Sequence, residues 1–169
     1  LKERLPTQEP IEVETVKDAP AGERMPKAAF EVAAKGAVLV DAESGEVLFE
    51  QDAHKELPLA SVTKVMTMLL VMEAVDSGKI TLDDSVTISE RAASMGGSQM
   101  YMEAGETHTV AELMEGVAMA SANDGCVALS EFVAGSEEIF VERMNERAAE
   151  LGMRDTHFVN TNGLPVAGH

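Results

Sequence analysis

Leu59-Ala60-Ser61-Val62-Thr63-Lys64-Val65-Met66, continuing through Val75, is the stretch on which the reading of this chain turns. From Val65 to Val75 it is apolar except at Thr67 and Glu73. A helix of that composition offers water almost no polar face, so the pattern predicts a buried helix over about 62–76, stopped by Ser77-Gly78. At about 100° per residue, Ser61 and Lys64 lie roughly 60° apart and project to one side. A lysine pressed into apolar packing beside a hydroxyl is a candidate base next to a candidate nucleophile.

Working outward, Gly36-Ala-Val-Leu-Val-Asp41, the turn Ala-Glu-Ser-Gly45 and Glu46-Val-Leu-Phe-Glu-Gln51 read as a β-hairpin. Its first run is apolar on both faces, the pattern of a central strand covered on each side. Beyond the buried helix, Val86-Thr-Ile88 reads as a short extended piece and residues 89–94 as a short helix, followed by a break at Gly96-Gly97-Ser98. Thr109-Val-Ala-Glu112 fits a capping box and opens a helix to about Ala120. Two more helices are expected, from about Asn123 to Val133 and from about Ser136 to Leu151. A hairpin followed by helices is part of an α/β or α+β domain, and a two-stranded sheet wants more strands. No strand-like run follows, so the pattern reads as a truncated domain over 34–169. Residues 1–33, with prolines at 6, 10, 20 and 26 and no sustained period, read as a mobile leader or linker.

The 169 residues suit one domain. Thirteen basic against thirty acidic residues give a net charge of -17, which argues against nucleic acid or anionic lipid as a partner of the bulk surface. A single cysteine, Cys126, excludes an internal disulfide. The four histidines are scattered singly, so neither a metal nor another cofactor is expected. No run reaches the eighteen or so apolar residues of a membrane span. The chain begins at Leu1 without a charged-then-apolar leader, which leaves a removed signal peptide open.

Ser-x-x-Lys alone is a weak signal; its placement at the mouth of an apolar helix strengthens it. There the serine N–H is one of the unpaired helix-end donors and can face a developing oxyanion. The positive end of the helix and burial both disfavour a charged lysine. At its reference pKa a lysine is neutral only about 0.04% of the time at pH 7, a handicap of roughly 4–5 kcal/mol that the site must largely remove. The blander alternative makes Ser61 an N-cap and sends Lys64 out to solvent. A second pattern, Ser121-Ala-Asn123-Asp124, falls at the junction of two predicted helices. Ser121 there can pass a proton to a leaving amine, and Asn123 can orient a substrate amide or hold Lys64. The alternative for both is helix capping.

Together, Ser-x-x-Lys and Ser-x-Asn are the first two motifs of the serine β-lactamases and penicillin-binding proteins. The chain resembles the low-molecular-mass penicillin-binding proteins that act as serine-type D-alanyl-D-alanine carboxypeptidases. Lys35-Gly-Ala-Val-Leu-Val-Asp-Ala-Glu-Ser-Gly, Leu57-Pro-Leu-Ala-Ser-Val-Thr-Lys-Val-Met-Thr, Gly97-Ser-Gln-Met-Tyr-Met-Glu-Ala-Gly-Glu106, Ala120-Ser-Ala-Asn-Asp and Phe158-Val-Asn-Thr-Asn-Gly-Leu164 with His169 all follow that family in order. The resemblance covers roughly residues 30–169. It implies a β-lactamase/transpeptidase-like fold, an antiparallel sheet packed with helices. It implies Ser61 as acyl-enzyme nucleophile, Lys64 as general base, Ser121 as proton relay, and Asn123 in contact with substrate and lysine. The partners it implies are a peptidoglycan stem peptide ending in D-Ala-D-Ala and β-lactams as covalent inhibitors. It places the protein in the cell envelope, outside the cytoplasmic membrane, with room for a membrane tether in a C-terminal segment outside these residues.

The Lys-Thr-Gly strand of the family does not occur in these residues, so the segment by itself is expected to be inactive and poorly folded. A β-lactamase, a D,D-endopeptidase and a non-catalytic peptidoglycan-binding scaffold remain alternatives. The deacylating glutamate of a class A β-lactamase has no counterpart pattern around Glu150 or Asp155. The eleven methionines and Cys126 read as core filling, Glu103 and Glu106 as solvated turn residues, and Asn160 and Gly163 as parts of a turn.

Overall fold

The structure is a computed structural model that describes residues 32–169. The expected leader falls almost wholly outside the described residues. The described chain forms two compact units, divided between Lys55 and Glu56.

The first unit is the hairpin: β1 (Ala37–Val40) pairs antiparallel with β2 (Val47–Gln51), with an irregularity between Leu39 and Val40. Asp41 forms the turn, accepting hydrogen bonds from the backbone N–H and the hydroxyl of Ser44 at 2.8 and 2.7 Å. Those bonds hold its carboxyl below the usual aspartate range. Val38, Leu39 and Val40 are 58%, 53% and 45% exposed, against the expectation of a central strand. Apolar residues on both faces of a strand are buried only when something packs on both, and this two-stranded unit supplies no such layer.

The second unit is helical. A 3-10 turn over Ala60–Val62 leads into α1 (Thr63–Asp76). Then come β3 (Ser85–Thr87), α2 (Glu90–Ala93), β4 (Thr107–Thr109), α3 (Val110–Ala120), α4 (Asn123–Ala134) and α5 (Glu137–Glu150). The capping box is present: the Thr109 hydroxyl accepts from the Glu112 N–H at 3.1 Å, and the Glu112 carboxylate accepts from the Thr109 N–H at 2.8 Å. Ser89 and Ser136 cap α2 and α5 with their hydroxyls. β4 pairs with β3, a match that the three residues Thr107-His-Thr109 do not announce in sequence.

Helix α4 is the axis of this unit. Every residue from Asn123 to Ser130 is buried, and α1, α2, α3 and α5 all pack against it. Its companions in the core include Val71, Ile88, Val110, Leu113, Phe140 and Met144. Gly125 faces α3, where an added Cβ would lie 3.1 Å from a Val117 methyl, so the close approach of the helices accounts for glycine. Arg147 links α5 to α1 through Glu73 at 2.9 Å. Cys126 is fully buried among apolar side chains, and burial pushes its thiol up to about 12.

The buried-helix expectation holds for α1 with an inversion. Thr63, Lys64 and Thr67 are among its buried residues, while Val62, just before it, and Val65 are exposed. The face turned inward at its start is the polar one. Not every methionine fills the core either: Met119 is exposed, and so is Tyr101 at a positive φ of 62°.

Candidate active site

The start of α1 brings together three side chains and one main-chain carbonyl. Lys64 is 3% exposed, and its Nζ lies 3.2 Å from Ser61 Oγ and donates to the Asn162 carbonyl at 2.6 Å. The Ser121 hydroxyl reaches Ser61 Oγ at 3.0 Å from the other side. Ser61 therefore sits between an amine and a second hydroxyl. It does not act as an N-cap: residue Val62 holds that position on α1, with no side-chain cap. Nor does Lys64 run out to solvent.

Burial moves the Lys64 pKa below its ordinary 10.5. A negatively charged Cys126 would oppose that shift, but a thiol pushed up to about 12 is neutral at neutral pH and leaves the desolvation unopposed.

Backbone geometry presents both hydroxyls. Ser121 ends α3 in the left-handed region, φ 55° and ψ 40°, and Ala60 just before Ser61 has φ 47°. Such conformations cost a non-glycine residue roughly 1–2 kcal/mol and recur where surrounding structure fixes a functional group. The capping alternative for Ser121 does not describe it, since α4 begins from Ala122 without a side-chain cap.

Asn123 is placed differently from the expectation that it holds the lysine. Its amide donates to the Gly96 carbonyl at 2.7 Å and its backbone N–H to the Ser98 carbonyl at 2.8 Å. Its neighbour Asp124 accepts from the N–H groups of Met100 and Tyr101 at 3.0 Å. The Asn-Asp pair thus binds the loop 96–101 to the start of α4, and the lysine finds its acceptor in the segment that follows α5.

That segment, residues 158–169, is tied down along its length. Asn145 on α5 holds both the N–H and the carbonyl of Phe158, each at 2.8 Å. The Thr67 hydroxyl donates to the Thr161 carbonyl at 2.6 Å, one helical turn from the Lys64–Asn162 contact. Asn160 Oδ1 accepts from the Gly163 N–H at 2.7 Å. Gly163 has φ +83°, and any Cβ there would run into the Ala60 carbonyl, so glycine is required twice over. His169 Nδ1 accepts from the Val159 N–H at 3.1 Å, which leaves the proton on Nε2 to donate to Thr63 Oγ1 at 2.7 Å. Burial, with a smaller contribution from nearby His157, holds His169 below its ordinary pKa.

These backbone partners were missed by residue-type reasoning, because a carbonyl oxygen carries no letter of its own. The available signal was Thr67 three residues after Lys64, a second polar side chain on one face of an apolar helix.

Glu150 pairs with Arg147 on α5, and Asp155 is exposed. Glu106 accepts the Glu103 N–H in an exposed turn. Among the described residues no group of three or more His, Cys, Asp or Glu sits where it could hold a metal ion. No described helix is long and apolar enough to cross a membrane.

A Ser-x-x-Lys pair with its lysine buried, faced by the serine of a Ser-x-Asn junction on a helix-rich α/β scaffold with antiparallel strand pairs, matches one class of proteins. The sequence profile of the D-alanyl-D-alanine carboxypeptidases, peptidase family S11, matches residues 22–169, and the chain belongs to that family. It is 51% identical over 148 residues to D-alanyl-D-alanine carboxypeptidase DacF of Bacillus subtilis, covering 88% of this chain and 38% of that protein. The crystal structure of D-alanyl-D-alanine carboxypeptidase DacD from Francisella tularensis superposes with a TM-score of 0.80 at 35% identity, covering 89% of this chain and 37% of that one. Penicillin-binding protein D2 of Listeria monocytogenes, in its ampicillin-bound form, gives 0.73 at 32% identity over 84% of this chain and 57% of its own. The chain therefore spans less than two-fifths of DacF and DacD.

Proposed function

We propose that these residues carry the nucleophile and base of a serine-type D-alanyl-D-alanine carboxypeptidase acting on peptidoglycan stem peptides. The observation that carries the reading is the buried Lys64 amine 3.2 Å from Ser61 Oγ, with Ser121 Oγ 3.0 Å from the same atom.

Unprotonated Lys64 takes the Ser61 hydroxyl proton as Oγ attacks the carbonyl of the penultimate D-alanine. The C–N bond to the terminal D-alanine then breaks, and the proton returns to its leaving nitrogen by way of Ser121. Water, giving a proton to the same lysine, attacks the ester; the C–O bond to Ser61 breaks, the lysine returns that proton to Ser61 Oγ, and the shortened peptide leaves. Asn123, its amide N–H donating to the Gly96 carbonyl, supports this site by fixing the loop 96–101, and its side-chain oxygen is the acceptor proposed to meet a substrate N–H. β-Lactams acylate Ser61 by the same attack on a strained amide; the ampicillin complex of the similar Listeria protein supports extending this to the present chain. A substrate of this kind places the enzyme outside the cytoplasmic membrane.

The test uses the full-length gene product carrying these residues. Fluorescent penicillin should label it covalently, peptide mapping should put the adduct on Ser61, and D-alanine should be released from a peptide ending in D-Ala-D-Ala. Labelling that survives Ser61→Ala sinks the assignment.

A further inference from the structure

Glu137 lies outside both motifs, and the acyl-transfer steps do not use it. It is the first residue of α5, 5% exposed. One carboxylate oxygen accepts from both the N–H and the hydroxyl of Thr161, at 3.3 and 3.0 Å. The other pairs with the Arg91 guanidinium on α2, whose pKa that pairing raises. The Thr161 carbonyl is held from the opposite side by Thr67 of α1. The peptide leading into Asn162 is thus clamped between α5 and α1, and the Asn162 carbonyl receives Lys64 Nζ at 2.6 Å.

That carbonyl matters because a neutral amine is useful only when its lone pair is aimed. An unprotonated lysine has two N–H bonds and one lone pair. With one N–H committed to Asn162, rotation about Cε–Nζ is fixed, and the lone pair can be directed at Ser61 Oγ 3.2 Å away. Release the carbonyl and the amine turns freely, losing the orientation that proton transfer needs. Nothing in the sequence sets Glu137 apart from the twenty-nine other acidic residues. Its burial and its two-sided bonding do.

We propose that Glu137 is a positioning residue for acylation: through Thr161 it fixes the Asn162 carbonyl that orients the Lys64 amine toward Ser61. This rests on the proposed function of the Ser61–Lys64 pair. Arg91 holds the carboxylate in place, and Thr161 transmits the constraint. The role differs from simple support of the fold in what it should change, which is the rate of the chemical step and not the affinity for the β-lactam.

The experiment measures penicillin acylation of the full-length protein by stopped flow, separating the dissociation constant of the initial complex from the acylation rate constant. Variants are Glu137→Ala, Glu137→Gln, Thr161→Val and the conservative Thr161→Ser. A misplacement near 1 Å costs about a hundredfold, so Glu137→Ala and Thr161→Val should lower the acylation rate constant by about ten- to a hundredfold. The dissociation constant should stay within about twofold, and Thr161→Ser should keep the wild-type rate. Glu137→Gln retains an acceptor oxygen for Thr161 but not the charge that Arg91 holds, and should fall between. If Glu137→Ala does not fold, the two isosteric variants, Glu137→Gln and Thr161→Val, decide the matter. Wild-type acylation rates in the folded variants, or a loss confined to the dissociation constant, overturn the inference while leaving Ser61 and Lys64 in place. A wild-type protein that penicillin does not label at Ser61 overturns both.

Discussion

Replacing Gly163 by alanine tests whether the segment after α5 shapes the nucleophile's own backbone. Gly163 has φ +83°, and its added Cβ would overlap the Ala60 carbonyl, one residue before Ser61. The left-handed conformation costs an alanine roughly 1–2 kcal/mol. Relieving overlap with a backbone atom, which cannot rotate away as a side chain would, adds about 1–3 kcal/mol. The expected destabilisation is therefore about 2–5 kcal/mol. Gly152 is the control, since it has φ +75° but nothing within 4 Å of a Cβ, so Gly152→Ala carries only the conformational cost. Denaturant unfolding of the two full-length variants gives the difference, and fluorescent-penicillin labelling of the folded fraction gives the functional effect. Moving the Ala60 peptide shifts Ser61 against Lys64, so labelling should slow by about ten- to a hundredfold in Gly163→Ala. It should be unchanged in Gly152→Ala. Equal stability and wild-type labelling in both variants would refute the argument that Gly163 is required by contact with Ala60.

Lys64→Met keeps much of the buried stem while removing the base, and should lower the acylation rate constant by about 10²–10⁴-fold, read by the same labelling assay. Thr67→Val leaves the buried Thr161 carbonyl without its donor and should cost about 1–3 kcal/mol in denaturant unfolding, with slower acylation as the segment loosens. Cys126, fully buried and with its pKa pushed up to about 12, should resist iodoacetamide at pH 8 in the native protein and react once it is unfolded.

Periodicity and capping chemistry made the helices legible. Thr109 with Glu112 marked the start of α3, Ser136 the start of α5, and Ser77-Gly78 the end of α1, because each is a local contract between a side chain and nearby backbone. The environment of β1 was not legible in that way. Its alternating-free apolar run states what the strand prefers to touch, whereas Val38 to Val40 are exposed in a two-stranded unit. The β3–β4 pair escaped because pairing is a long-range choice that three residues cannot advertise. At the site, Ser61, Lys64 and Ser121 could be placed together by motif and resemblance, and the structure brings Lys64 Nζ and Ser121 Oγ to 3.2 and 3.0 Å from Ser61 Oγ. Asn123 shows the limit of that approach: its residue type suits several partners, and the fold gives its amide to Gly96. The acceptor that the lysine does find is a main-chain oxygen ninety-eight residues away.

The most direct measurement is a titration of the Lys64 side chain, followed through its ¹³Cε and ¹⁵Nζ resonances in the full-length protein with Lys64→Arg used to assign the signal. Burial should place its midpoint below 10.5, so that acylation rises with pH as this amine loses its proton and levels off above that midpoint. A midpoint at or above 10.5, with acylation indifferent to it, would contradict an unprotonated lysine acting on Ser61.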